Sequence, residues 1–245
     1  MRSFPAWRGV AIAIVGLAVV CLPVMGRVST TEDGLKVGAL RVEKMLFLGN
    51  SITLHGPAPE IGWTGDWGMA ASAREKDYVH QLLDRISKSS GGTPKVMIRN
   101  IADFERKQTD LNIREALKEE LSFEADVVIL AIGENAPTPK TDEARKKFGD
   151  ALRDLLAALR QRRQPKIFVR SEFWPDGEKD RILKKACDDA GGIFVDIGKL
   201  AIDPTNSARS ERQIEHAGVA GHPGDKGMAA IADELWQAMK QAASR

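Results

Sequence analysis

The chain has 245 residues, 43% of them hydrophobic and 29% charged, which is enough apolar mass for a sizeable core and too little polar bias for disorder. A formal net charge of +2 excludes the strongly basic balance of a nucleic-acid binder. The 2 cysteines, Cys21 and Cys187, sit in unlike segments and support neither a disulfide framework nor a zinc cluster.

The first 26 residues differ in kind from the rest. "MRSFPAWR" carries two arginines and no acid, and "GVAIAIVGLAVVCLPVM" then runs 17 residues without a charge before the polar "GRVSTTEDG". A basic start and an apolar middle are the layout of an export signal, at a length that is also the short limit for a membrane anchor. Residues 1–26 are therefore expected to be a signal peptide or N-terminal anchor, 27–43 an extension, and 44–245 the working domain. That implies export to the periplasm or beyond, with any membrane attachment made through the N-terminal segment alone.

From there apolar strands alternate with amphipathic helices. "KMLFLG" (44–49) is a short, continuous apolar run, as in a strand buried on both faces. A helix is expected over 68–92, where Tyr78, Leu82 and Ile86 recur at helical spacing and Gly91 offers a stop. The strand "PKVMIRNI" (94–101) follows, then a short helix over 110–122 and the strand "ADVVILAIG" (125–133). A long helix over 141–163 has Thr141 as its cap and Phe148, Leu152, Leu155, Leu156 and Leu159 along one face. The strand "PKIFVRS" (165–171), a helix over 176–192, the strand "IFVDIG" (193–198) and a helix over 224–243 complete the chain. This alternation predicts an α/β fold: a three-layer sandwich around a five-stranded parallel sheet, flavodoxin-like, with right-handed crossovers.

In such a sheet ligands meet the carboxyl ends of the strands. The first strand ends in Gly49-Asn50-Ser51, the second in Asn100 to Glu105, the third in Gly133-Glu134-Asn135, the fourth in Ser171-Glu172-Phe173-Trp174, and "GHPGDKG" with His222 precedes the last helix. Each residue has a plain alternative. Ser51 suits a turn or helix cap, Asn135 a turn, and His222 a loop. Their joint occurrence in this order points instead to acyl transfer by an activated hydroxyl.

"FLGNSIT", "AIGENAP" and "GHPGDKGMAAIADEL" together resemble the first, third and last sequence blocks of the SGNH hydrolases, the GDSL-type esterases and lipases. The resemblance spans nearly all of residues 44 to 240. It implies Ser51 as nucleophile, His222 as its base, and Asn135 as an oxyanion donor beside backbone N–H groups. No metal or cofactor is implied. Asn50 stands for the usual aspartate of the first block. Two features depart from the pattern: the second block, "NIADFERKQTD", has no glycine, so that a backbone N–H among Ala102 to Glu105 would serve as donor, and Val219 occupies the place of the acid that usually orients the histidine. The acceptor for His222 is then Glu215, Asp196 or a main-chain carbonyl, and Glu215, closest in sequence, is expected to be the catalytic partner.

The glycine- and proline-rich segment after Ser51 holds His55, Trp63, Asp66 and Trp67, and Trp174 lies in another rim loop. These tryptophans either plug the core or form a platform for sugar rings, with His55 and Asp66 as polar flanks. No long apolar cap for a lipid chain is visible. The expected activity is hydrolysis of small acyl esters, acetyl foremost, on carbohydrates, with His55, Asp66, Trp67 and Trp174 contacting substrate. A lipase or thioesterase acting on acyl lipids would share the same catalytic residues. A non-catalytic carbohydrate-binding module would keep the tryptophans without the Ser51, Asn135 and His222 set. A zinc hydrolase using His55, Asp66, His216 and His222 lacks tight ligand spacing.

Overall fold

The computed structural model describes residues 34–244, together with Met1 and Ser3. The expected export signal, Cys21 and the stretch 27–33 lie outside the described residues. Among the described residues no helix is long and apolar enough to cross a membrane.

A small antiparallel hairpin, β1 (Lys36–Val37) and β2 (Leu40–Arg41), leads into the sheet, and its Val37 is buried in the core. The chain then runs β3 (Lys44–Gly49), α1 (Tyr78–Ser90), β4 (Lys95–Asn100), α2 (Ala102–Lys107), α3 (Ile113–Ala116), α4 (Lys118–Ser122) and β5 (Val127–Ala131). It continues through α5 (Asp142–Leu159), β6 (Lys166–Arg170), α6 (Gly177–Asp189), β7 (Ile193–Val195), α7 (Ala217–Gly221) and α8 (Asp225–Ala243). The five long-range strands form one parallel sheet in the order β4-β3-β5-β6-β7. The expected three-layer α/β sandwich is thus the observed architecture.

The period-2 geometry of a strand explains why the apolar runs are continuous. Met45 and Phe47 of β3 and Ile129 of β5 pack under α1 and α8, against Leu82, Ile86, Ile231 and Leu235. Leu46, Leu48 and Leu130 face the other way, toward α5 and α6, against Leu152, Leu155, Leu183 and Cys187. Because β3 has β4 on one side and β5 on the other, the chain order reverses across it, which makes the carboxyl end of β3 the switch point where ligands bind in such sheets.

Three expected elements differ in detail. The helix over 68–92 begins only at Tyr78, because the buried Asp77 carboxylate caps it, accepting from His80 N–H at 2.8 Å and from Gly68 N–H at 3.1 Å. The expected helix over 110–122 is two short helices, α3 and α4, joined at Leu117. The segment after β4, read as a loop, contains the helix α2.

Candidate active site

β3 ends in a tight turn. The Asn50 carbonyl accepts from Thr53 and Leu54 N–H, and the Asn50 side-chain oxygen accepts from Ile52 N–H at 3.1 Å. This turn lifts Ser51 out of the sheet to a half-buried position. The chain between α6 and α8 brings His222 to the same place from 171 residues away, with Ser51 Oγ 2.8 Å from His222 Nε2. The His222 ring is also held on its far side, Nδ1 lying 2.7 Å from the Gly218 carbonyl oxygen. A carbonyl only accepts, so Nδ1 carries the proton and Nε2 presents its lone pair to the serine hydroxyl. Burial pushes the His222 pKa below the ordinary imidazole value, outweighing the opposing pull of the Gly218 carbonyl. The ring is therefore neutral at neutral pH, as a general base must be.

The acceptor for His222 is the third of the alternatives, a main-chain carbonyl. Glu215, expected to orient the ring, is exposed and lines a separate cavity with Glu60 and Gln213, and Gly218 already occupies Nδ1. Asp196 is engaged elsewhere, accepting from Gly198 N–H at 3.0 Å and from the Ser171 hydroxyl at 3.3 Å. A Cβ at Gly218 would stand 2.9 Å from the ring of His216.

Ser51, His222 and Asn135 line one cavity of about 640 Å³, with Ile61, Met69 and Phe104 among its apolar walls. Asn135 lies in the Gly133–Ala136 turn after β5, and its Oδ1 accepts from Arg106 Nη2 at 3.1 Å. At the start of α2, Ala102 N–H donates to Asn100 Oδ1 at 2.9 Å and Phe104 N–H to the Ile101 carbonyl at 2.8 Å, and Asp103 between them lines the cavity.

Beneath the site is a buried ionic network with little trace in the sequence. Glu134 accepts from Arg170 Nη1 (2.6 Å), Phe173 N–H (3.0 Å) and Asn50 Nδ2 (2.6 Å). This explains Asn50: an aspartate would set a second carboxylate against Glu134, where an amide donates a hydrogen bond. Burial works to raise Glu134, yet the Arg170 guanidinium outweighs it and holds the group below the usual glutamate range. Glu105 of α2 is fully buried, and burial together with the Glu134 charge pushes it up to about 7. The one visible signal of the network was Arg170, a charge closing an otherwise apolar strand.

Of the four residues expected to contact substrate, His55 and Trp174 are brought to the site and two are not. His55 lines the cavity, its Nδ1 2.6 Å from the Gly56 carbonyl. Trp174 is 40% exposed and stands edge-on to the His222 ring, with centroids 5.2 Å apart. Trp67 is half-buried, packed edge-on against the buried Trp63, with its indole N–H given to the Ala71 carbonyl at 3.0 Å, so it braces the loop after Ser51. Asp66 is exposed in a different depression beside Arg74 and His80. Among the described residues no group of three or more His, Cys, Asp or Glu side chains is placed to hold a metal ion.

No protein-family model matches the chain, and no curated protein matches it by sequence. Solved structures do share its fold. One is a protein named GDSL-like lipase from Parabacteroides merdae, 16% identical, with TM-score 0.55 over 83% of this chain and 98% of that one. Another is the acetyl xylan esterase AlAXEase, 21% identical, with TM-score 0.50 over 80% and 98%. A third is a two-domain esterase active on acetylated mannans, 17% identical, with TM-score 0.56 over 82% of this chain and 50% of that one. The fold is that of the GDSL-type hydrolases, in keeping with the SGNH resemblance of the sequence blocks.

Proposed function

We propose that the protein is a serine esterase that removes small acyl groups, acetyl foremost, from carbohydrates. The observation that carries this reading is the relay from Ser51 Oγ to His222 Nε2 (2.8 Å) and from His222 Nδ1 to the Gly218 carbonyl (2.7 Å). As Oγ attacks the ester carbonyl, its proton passes to Nε2, and negative charge gathers on the carbonyl oxygen. Asn135 Nδ2 and the Ser51 N–H are the donors for that charge. Asp103 N–H is assigned as the third, because its neighbours on α2 have given theirs to Asn100 and Ile101. The leaving alcohol takes the proton back from Nε2. Water then repeats the sequence on the acyl-serine, releasing the acid and restoring Ser51. No step draws on a metal or cofactor, and rates unchanged after chelation are the expected result.

The sugar assignment rests on Trp174, whose indole flanks His222 at the mouth and offers a face to a ring. The acetyl xylan and acetylated-mannan esterases among the fold's solved structures are in keeping with it. The test is hydrolysis of acetylated sugars and of p-nitrophenyl esters of rising chain length by the native chain and by Ser51→Ala. Acetyl esters are expected to turn over fastest and Ser51→Ala to be inactive. Full activity in Ser51→Ala would refute the mechanism, and a preference for octanoyl esters would move the assignment to a lipase.

A further inference from the structure

Asn135 sits on a turn rather than on a helix or strand, and an oxyanion donor displaced by half an ångström loses much of its effect. Here the backbone of that turn is gripped from two sides by buried charged side chains. From α2, Glu105 Oε2 accepts from Gly133 N–H at 3.0 Å and from Asn135 N–H at 2.7 Å. From α6, Lys179 Nζ donates to the Gly133 and Ala136 carbonyls, each at 3.0 Å. Glu105 is fully buried and Lys179 is 6% exposed. The turn is pressed close on the α6 side as well: Gly133 has φ 131°, and a Cβ there would stand 2.7 Å from the Glu172 side chain. Burying two such ionisable groups is costly, and apolar side chains would fill the space more cheaply. What they add is four hydrogen bonds to the three-residue frame around one catalytic amide.

We propose that Glu105 is a positioning residue for the reaction and that, with Lys179 opposite, it clamps the Gly133–Ala136 turn so that Asn135 presents its amide N–H to the developing oxyanion. The inference rests on the esterase reading above. Arg106 holds Asn135 Oδ1 at 3.1 Å and Glu105 also receives one Asn135 Nδ2–H at 3.4 Å, which leaves the second Nδ2–H for the reaction.

A double-mutant cycle on p-nitrophenyl acetate hydrolysis tests it, with folding of each variant checked by its thermal transition. Asn135→Ala is expected to lower kcat about 100-fold or more, the loss typical of one oxyanion donor. Glu105→Leu should lower kcat at least about tenfold with KM within about twofold, because only the transition state uses the donor. Glu105→Gln, whose amide oxygen accepts the same two N–H groups, should recover most of the loss. In the Asn135→Ala background, Glu105→Leu should cost less than about threefold more, since residues acting through one another are not additive. Should Glu105→Leu fail to fold, Glu105→Asp, which withdraws the carboxylate by one methylene, is put through the same cycle. A silent Glu105 variant beside a damaging Asn135→Ala overturns the clamp alone. So does a Glu105 effect repeated in full without Asn135, or a Glu105→Gln as damaging as Glu105→Leu. A silent Asn135→Ala overturns both the clamp and the oxyanion role on which it rests.

Discussion

Single atoms settle what His222 can do. Its Nδ1 faces the Gly218 carbonyl, so an imidazolium formed in the proposed reaction would be stabilised by a dipole and not by a carboxylate. Glu215→Gln is accordingly expected to change kcat and KM by less than about twofold, whereas an orienting acid would be worth far more. A strong fall in kcat with unchanged KM would return Glu215 to the site. Because burial lowers the His222 pKa, the acid limb of kcat/KM should have its midpoint below the ordinary imidazole value of about 6.5. A midpoint above that value in a pH-rate profile would show that burial does not outweigh the Gly218 hydrogen bond at His222. Asn50 carries a stability prediction. Asn50→Asp replaces the donor to Glu134 with a like charge and should cost on the order of 3 kcal/mol, measured by urea unfolding at neutral pH. The convergence of Ser51, Asn135 and His222 on one cavity was legible because two of them follow strands and the third precedes the last helix, in a recognisable order. Glu215 was misplaced because proximity in sequence does not say which way a loop side chain points, and a carbonyl acceptor leaves no mark on residue type.

Among elements, the strands and long helices follow the periods of their apolar residues, and the short ones do not. α2 has 6 residues, too few for a pattern, yet it carries Asp103, Phe104 and Arg106 to the cavity and Glu105 to the Gly133 and Asn135 N–H groups. The loop after Ser51 shows the same limit. Trp63 and Trp67 were possible sugar platforms or core plugs, and the indole hydrogen bonds to the His55 and Ala71 carbonyls make them braces. Trp174, in the loop after β6, remains exposed at the mouth. Trp174→Ala should therefore raise KM for acetylated oligosaccharides several-fold, while Trp67→Ala should chiefly lower the unfolding midpoint. An unchanged KM on every sugar ester tried would remove Trp174 from the binding surface.

Over the whole molecule, the buried acids set how stability depends on pH. Burial raises Glu105 to about 7 and Glu172 to about 8, the latter despite Lys179 Nζ at 2.5 Å. A carboxyl with a raised folded pKa favours folding while protonated, so its contribution is complete below the unfolded value near 4.5 and is lost as pH rises through 7 to 8. His222 acts in the opposite sense, but its contribution is complete above about pH 6.5. Burial likewise raises Cys187 to about 11 and Tyr78 to about 12, which extends the loss into the alkaline range. The urea midpoint should fall from pH 6.5 to about 8, and Glu172→Gln should reduce that fall. A midpoint that stays level over this range would show the two carboxyls ionised in the folded protein.

Layer order, strand sequence and the placement of Ser51, Asn135 and His222 at one sheet edge follow from periodicity and from the handedness of crossovers, which are local rules that each segment obeys alone. The acceptor behind His222, the bracing role of Trp67, the separation of Asp66 from the cavity and the ionic network of Glu105, Glu134, Arg170 and Lys179 do not follow. Each depends on which distant group occupies the space opposite a side chain, and a buried charge is stable or costly according to that partner. Such pairings, 36 residues apart for Glu134 and Arg170 and 46 apart for Gly133 and Lys179, are made only when the sheet and its helices close around them.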